Sequence, residues 1–80
     1  MQVKNMELKI KSLDTGNELT TNKHLHSTDA INYARKKGLS GRLVVGMTCQ
    51  MENGDRVHSS FSVDAHNQIT CNIFPHITHD

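Results

Sequence analysis

The stretch "GRLVVGMTCQMENGDRVHSSFSV", residues 41–63, decides the fold. Its first half alternates. Leu43, Val45, Met47, Cys49 and Met51 share one face of an extended chain, and Arg42, Val44, Gly46, Thr48 and Gln50 share the other. "ENGD" follows, and Asn53-Gly54 is a two-residue hairpin signal. "RVHSSFSV" then returns with Val57, Phe61 and Val63 inward and His58, Ser60 and Ser62 outward. Two antiparallel strands with one apolar face are the unit to which the rest must attach.

On the C-terminal side, "DAHNQ" is a second turn, and "ITCNIF" a third strand with Ile69, Cys71 and Ile73 inward. Pro75 ends that strand, which leaves residues 75–80 as a frayed tail. At the N-terminal end, "MELKIKSL" alternates Met6, Leu8 and Ile10 against Glu7, Lys9 and Lys11. "DTGN" turns it, with Gly16 available for positive φ, and "ELTTN" returns with Leu19 and Thr21 inward. Met6 offers an alternative start, since the periodic pattern begins there.

Between hairpin and meander lies "STDAINYARKKG". Ser27 or Thr28 can cap a helix, and Asp29 suits its positive end. Ala30, Ile31, Tyr33 and Ala34 form an apolar face at helical spacing, and Gly38 supplies the left-handed stop. About ten residues of helix do not persist alone, so this one must pack on the sheet. The order is β-β-α-β-β-β. The expected fold is α+β: a five-stranded antiparallel sheet with one helix packed on one face, a single domain over residues 1–80 with its ordered core near 6–74.

Composition narrows the function classes. Apolar residues are 35% of the 80, so the core is thin, and a chain this short buries only about 60% of its unfolded surface. No apolar run approaches the ~18 residues of a membrane span, and "MQVKNMELKIKS" has no apolar signal region, so the expected location is cytoplasmic. Cys49 and Cys71 fall on strands separated by a third, roughly 9–10 Å apart. That is beyond disulfide reach, so both are expected as small buried hydrophobes.

No catalytic constellation is present. Ser60 shares a face with His58, but no acid completes a relay, and there is neither a nucleophile elbow nor a phosphate loop. The six histidines, His24, His26, His58, His66, His76 and His79, lack Cys-x-x-Cys or His-Glu-x-x-His spacing and read as solvated side chains. The chain is read as a non-enzyme with no metal and no cofactor.

Charge is where the sequence speaks most directly. The net is +1, yet residues 23–42 hold five basic side chains and one acid, while the remainder holds four and seven. Lys23, Arg35, Lys36, Lys37 and Arg42 are therefore the candidate partner-binding residues. Their plainest alternative is that Arg35, Lys36 and Lys37 complete the helix dipole and hold solvent.

Ser27, Ala30, Ala34, Lys36, Gly41, Asn53 and Gly54, in this order of elements, resemble a small family of type I-F anti-CRISPR proteins of phages and mobile elements. Two basic helix positions of that family fall at Ile31 and Asn32 here, and Lys36 is the one carried over directly. The resemblance implies a stoichiometric inhibitor in the host cytoplasm. Its partner would be the CRISPR surveillance complex, a ribonucleoprotein, whose pairing with target DNA it would block. Independently of the resemblance, the exposed edges of a small sheet allow pairing, so the chain is read as a monomer or homodimer. The other reading is a small regulatory protein that binds nucleic acid directly through the basic helix.

Overall fold

A computed structural model describes residues 3–79, apart from the Phe74 side chain. Its elements are β1 (Val3–Ser12), β2 (Glu18–Thr21), α1 (Ser27–Lys36), β3 (Leu43–Met51), β4 (Arg56–Val63) and β5 (Ile69–Thr78). The strands form one antiparallel sheet in the order β2-β1-β3-β4-β5. This is the expected α+β architecture, with the helix packed against the sheet.

The alternating pattern does what it should in the centre. Leu8, Ile10, Leu43, Val45 and Val63 are buried on one face, and Ala30, Ile31 and Ala34 of α1 close over them. Burying each large aliphatic side chain contributes about 1.5–3 kcal/mol. Glu7, Lys9 and Lys11 point away into solvent, as their spacing requires. Tyr33 sits half-buried at the edge of the helix contact.

The N-cap of the helix is His26, in an extended conformation, and neither Ser27 nor Thr28 caps it. The helix begins one residue earlier than a serine cap would allow, because the His26 carbonyl already accepts from the Ala30 N–H at 2.7 Å. At the C-terminus, the Gly38 N–H bonds the Arg35 carbonyl and the Leu39 N–H bonds that of Ala34. With Gly38 at φ 93° and Leu39 buried, this is a complete Schellman stop.

The turn at Asn53-Gly54 is one residue longer than a two-residue hairpin. Met51 N–H donates to the Asp55 carbonyl, Gly54 N–H donates to the Met51 carbonyl, and only Gly54 has positive φ. That is a three-residue loop, a type I turn closed by a left-handed residue. The β4–β5 turn repeats the plan with Asn67, at φ 65°, in the glycine's place.

Strand β5 departs furthest from expectation. Cys71 and Ile73 pair with Ser62 and Ser60 on the outward face, and Cys71 is exposed. The cause is a bulge: Thr70 is an extra residue between the Ser62–Cys71 and Val63–Ile69 pairs. A one-residue slip sends every following side chain to the other face. Ile69 does lie opposite Val63, yet it is 61% exposed, because a single helix about 10 Å wide covers only about two strands. Cys49, by contrast, is buried as expected, and the two thiols are unbridged.

Nor does the strand stop at Pro75. A second bulge falls between the Ser60–Ile73 and His58–His76 pairs, and pairing resumes with Val57–Ile77 and Arg56–Thr78. Proline is tolerated there because β5 is an edge strand. His79 then bonds the Asp55 carboxylate at 2.9 Å, so the described part of the tail is anchored rather than frayed. The ordered strands also begin at Val3, ahead of Met6.

Gly41 offers a test of the packing before β3. It holds φ 72°, and a Cβ there would run into the Asp14 carboxylate. Gly41→Ala should cost about 1–3 kcal/mol in denaturant unfolding. Gly38→Ala, whose Cβ would meet nothing within 4 Å, should cost about 1–2 kcal/mol from backbone strain alone.

Candidate interaction surface at the end of the helix

The five candidate basic residues do not form one surface. The structure divides them into two that are used internally and three that are presented outward.

Arg35 is used completely. Its Nε and Nη2 donate to the Asn67 side-chain oxygen at 3.1 and 2.8 Å. Nη2 also reaches the Asp64 carbonyl at 3.1 Å, and Nη1 reaches the carbonyls of Leu39 at 3.3 Å and Gly41 at 2.8 Å. A guanidinium has five N–H donors, and these five bonds account for all of them. One side chain thereby joins the helix end, the approach to β3 and the β4–β5 turn.

Arg42 is also occupied. Its Nε and Nη2 fork onto Asp14 Oδ1 at 3.0 and 2.8 Å, and its backbone N–H donates to Asp14 Oδ2 at 2.7 Å. The side-chain bond from Arg42, then the backbone bond, holds the Asp14 carboxyl below its ordinary value, and Asp14 in turn raises Arg42. Both side chains remain largely in solvent, so the pair locates the loop more than it stabilises the fold. Beneath it, Ser12 is buried and donates to the Ser40 carbonyl at 2.7 Å.

Lys23, Lys36 and Lys37 are different. All three are exposed, and none makes an ion pair among the described residues. Lys23 Nζ lies 5.0 Å and Lys37 Nζ 5.6 Å from the centre of the Tyr33 ring. The negative face of the ring attracts both ammonium groups and so holds two like charges near one another. Charge counting in sequence could not have found this, because Lys23 and Lys37 are separated by the whole helix.

His58 Nδ1 is 3.3 Å from the Thr48 hydroxyl and its Nε2 is 3.5 Å from that of Thr78, while His76 lies directly opposite. His76 is thus a strand residue rather than part of a loop or tail. Among the described residues, no three His, Cys, Asp or Glu side chains gather as metal ligands do. Burial pushes the Cys49 thiol up, which disfavours the thiolate a nucleophile needs. Among the described residues, no helix is long and apolar enough to cross a membrane.

No protein-family model matches this chain, and no match was found among curated proteins or among solved structures.

Two measurements check the division of roles. Arg35→Ala should lower stability by roughly 2 kcal/mol, and Arg35→Lys should not restore it, since an ammonium cannot span these acceptors. Lys36→Ala should leave the melting curve unchanged. The second concerns pH. Asp14, Asp55 and Asp64 are all held below the ordinary 3.8, chiefly by bonds from Arg42, His79 and the Gln68 N–H respectively. Their contribution is therefore present above the unfolded value and is lost as pH falls through the lower folded values. Stability should decline below about pH 4, and Asp64→Asn should flatten that decline.

Proposed function

We propose that this chain is a non-catalytic inhibitor or adaptor that docks, through Lys23 and Lys37 around Tyr33 together with the exposed Lys36, on an acidic or phosphate-bearing face of a protein–nucleic acid assembly. The observation that carries this reading is the pair of lysines held over one tyrosine ring with no ion-pair partner among the described residues. Internal ion pairing would leave no reason to hold two ammonium groups at one exposed corner. A partner that brings phosphates or carboxylates would supply the missing counter-charge.

The resemblance to type I-F anti-CRISPR proteins gives the partner a concrete form: the surveillance complex, occupied so that target DNA does not pair with the guide. In that setting Lys36 is the contact position that the resemblance carries over. Lys23 and Lys37 join it on the geometry around Tyr33. Arg35 and Arg42 have an internal role, fixing the loop before β3 on the helix end and on Asp14.

The test is a gel-shift assay of target DNA hybridisation by purified type I-F surveillance complex, with the chain added first. The unaltered chain should abolish hybridisation. The triple variant Lys23→Glu, Lys36→Glu, Lys37→Glu should lose that effect by at least about tenfold in concentration while melting at the same temperature. Blocking that survives the triple change would sink the corner as the contact. Binding to free DNA with a steep salt dependence would instead favour direct nucleic-acid recognition.

A further inference from the structure

Strand β5 ends the sheet, so one side of its backbone has no partner strand among the described residues. The opposite edge, β2, is four residues long and opens on Glu18. Edge β5 runs for ten residues, "ITCNIFPHIT", without a Lys, Arg, Asp or Glu. It exposes Ile69, Ile73 and Ile77 at 61%, 58% and 52%. Charged side chains are the usual means by which an edge strand repels a second strand. Here that means is absent, and proline and two bulges are the only interruptions.

Those interruptions have a symmetry of their own. One bulge lies at Thr70 and the other between Ile73 and His76, so the regular segment between them is Cys71, Asn72 and Ile73. Asn72 is its midpoint. A two-fold axis through Asn72 lays this strand antiparallel on its own copy, regular segment against regular segment and bulge against bulge. Cys71 then faces Ile73 of the second copy, both on the outward face, where Cys71 and Ile73 pair with Ser62 and Ser60 in their own sheet. Asn72 meets its own counterpart, and two carboxamides can exchange hydrogen bonds. Pro75, which has no N–H to give, falls opposite Ile69 at the end of the ladder.

We propose that a second copy of this chain pairs with the free edge of β5, antiparallel about a two-fold axis at Asn72, to make a continuous ten-stranded sheet. An uncharged strand suits its own copy because no like charges oppose one another across the axis. The proposal does not involve the lysine corner and stands or falls apart from it.

Sedimentation of the full-length chain tests it. The apparent mass should approach twice that of one chain and fall on roughly hundredfold dilution, as mass action requires. Directly opposed Cα atoms in an antiparallel ladder lie about 4.5 or 5.5 Å apart, within the ~4.4–6.8 Å that a disulfide spans. In a Cys71→Ser chain, Asn72→Cys should therefore cross-link to a covalent dimer with diamide, which takes up the two thiol hydrogens. The unaltered chain should cross-link poorly, since its Cys71 faces Ile73. Asn72→Lys should be monomeric, and Ile73→Lys serves equally should the first variant lose its far-ultraviolet circular dichroism. A monomer at every concentration, or a dimer that survives both lysines, overturns the proposal. A dimer that fails to cross-link at position 72 overturns the register.

Discussion

The whole upper end of this domain depends on how one guanidinium spends its five hydrogens. Arg35 leaves the last turn of the helix and bonds to three separate pieces of chain, at Leu39 and Gly41, at Asp64, and at Asn67. Besides it, the loop before β3 is tied to the helix by the two backbone bonds of the Schellman stop and the buried contact of Leu39. Asn67 shows the coupling. It occupies a left-handed conformation that favours glycine, and its side-chain oxygen is what two of the Arg35 nitrogens hold. A glycine would relax the backbone there but remove the acceptor.

A thin cover explains most of the remainder. One helix of ten residues shields β1 and β3, so Leu8, Ile10, Leu43 and Val45 are buried while the aliphatic side chains of β5 are not. The sheet extends past the reach of its helix. Strand β5 is therefore held by its ladder to β4 and by polar clasps such as His79 on Asp55, with little core behind it. A strand of that kind tolerates bulges and a proline that a central strand would not.

The same economy governs charge. Both arginines of residues 23–42 are drawn into the fold, because a planar fork of donors can satisfy several fixed oxygens at once. The lysines, with compact and strongly hydrated heads, stay outside. Residue type thus sorts a sequence-level basic cluster into anchors and presented charge. Spacing along the chain carried no trace of that sorting. It made Arg35 and Lys36 look equivalent, although one is bonded at every donor and the other is solvated.

What the residues alone determined was the set of elements and the inward face of the central strands. Alternation at Leu8 and Ile10, at Leu43 and Val45, and at Val57, Phe61 and Val63 is a local property of extended chain, and so was legible. So was the helix stop at Gly38, which needs only its own neighbours. What tertiary structure decided was everything set by a partner distant in sequence. The face taken by Cys71 and Ile73 depends on a bulge against β4. The passage of the strand through Pro75 depends on β5 lying at the edge. The fate of each cation depends on which carbonyl, carboxylate or ring the fold brings within reach. Those contacts reach from one turn of helix, Tyr33 to Lys37, to opposite ends of the domain, Arg35 to Asn67, and no local periodicity encodes them.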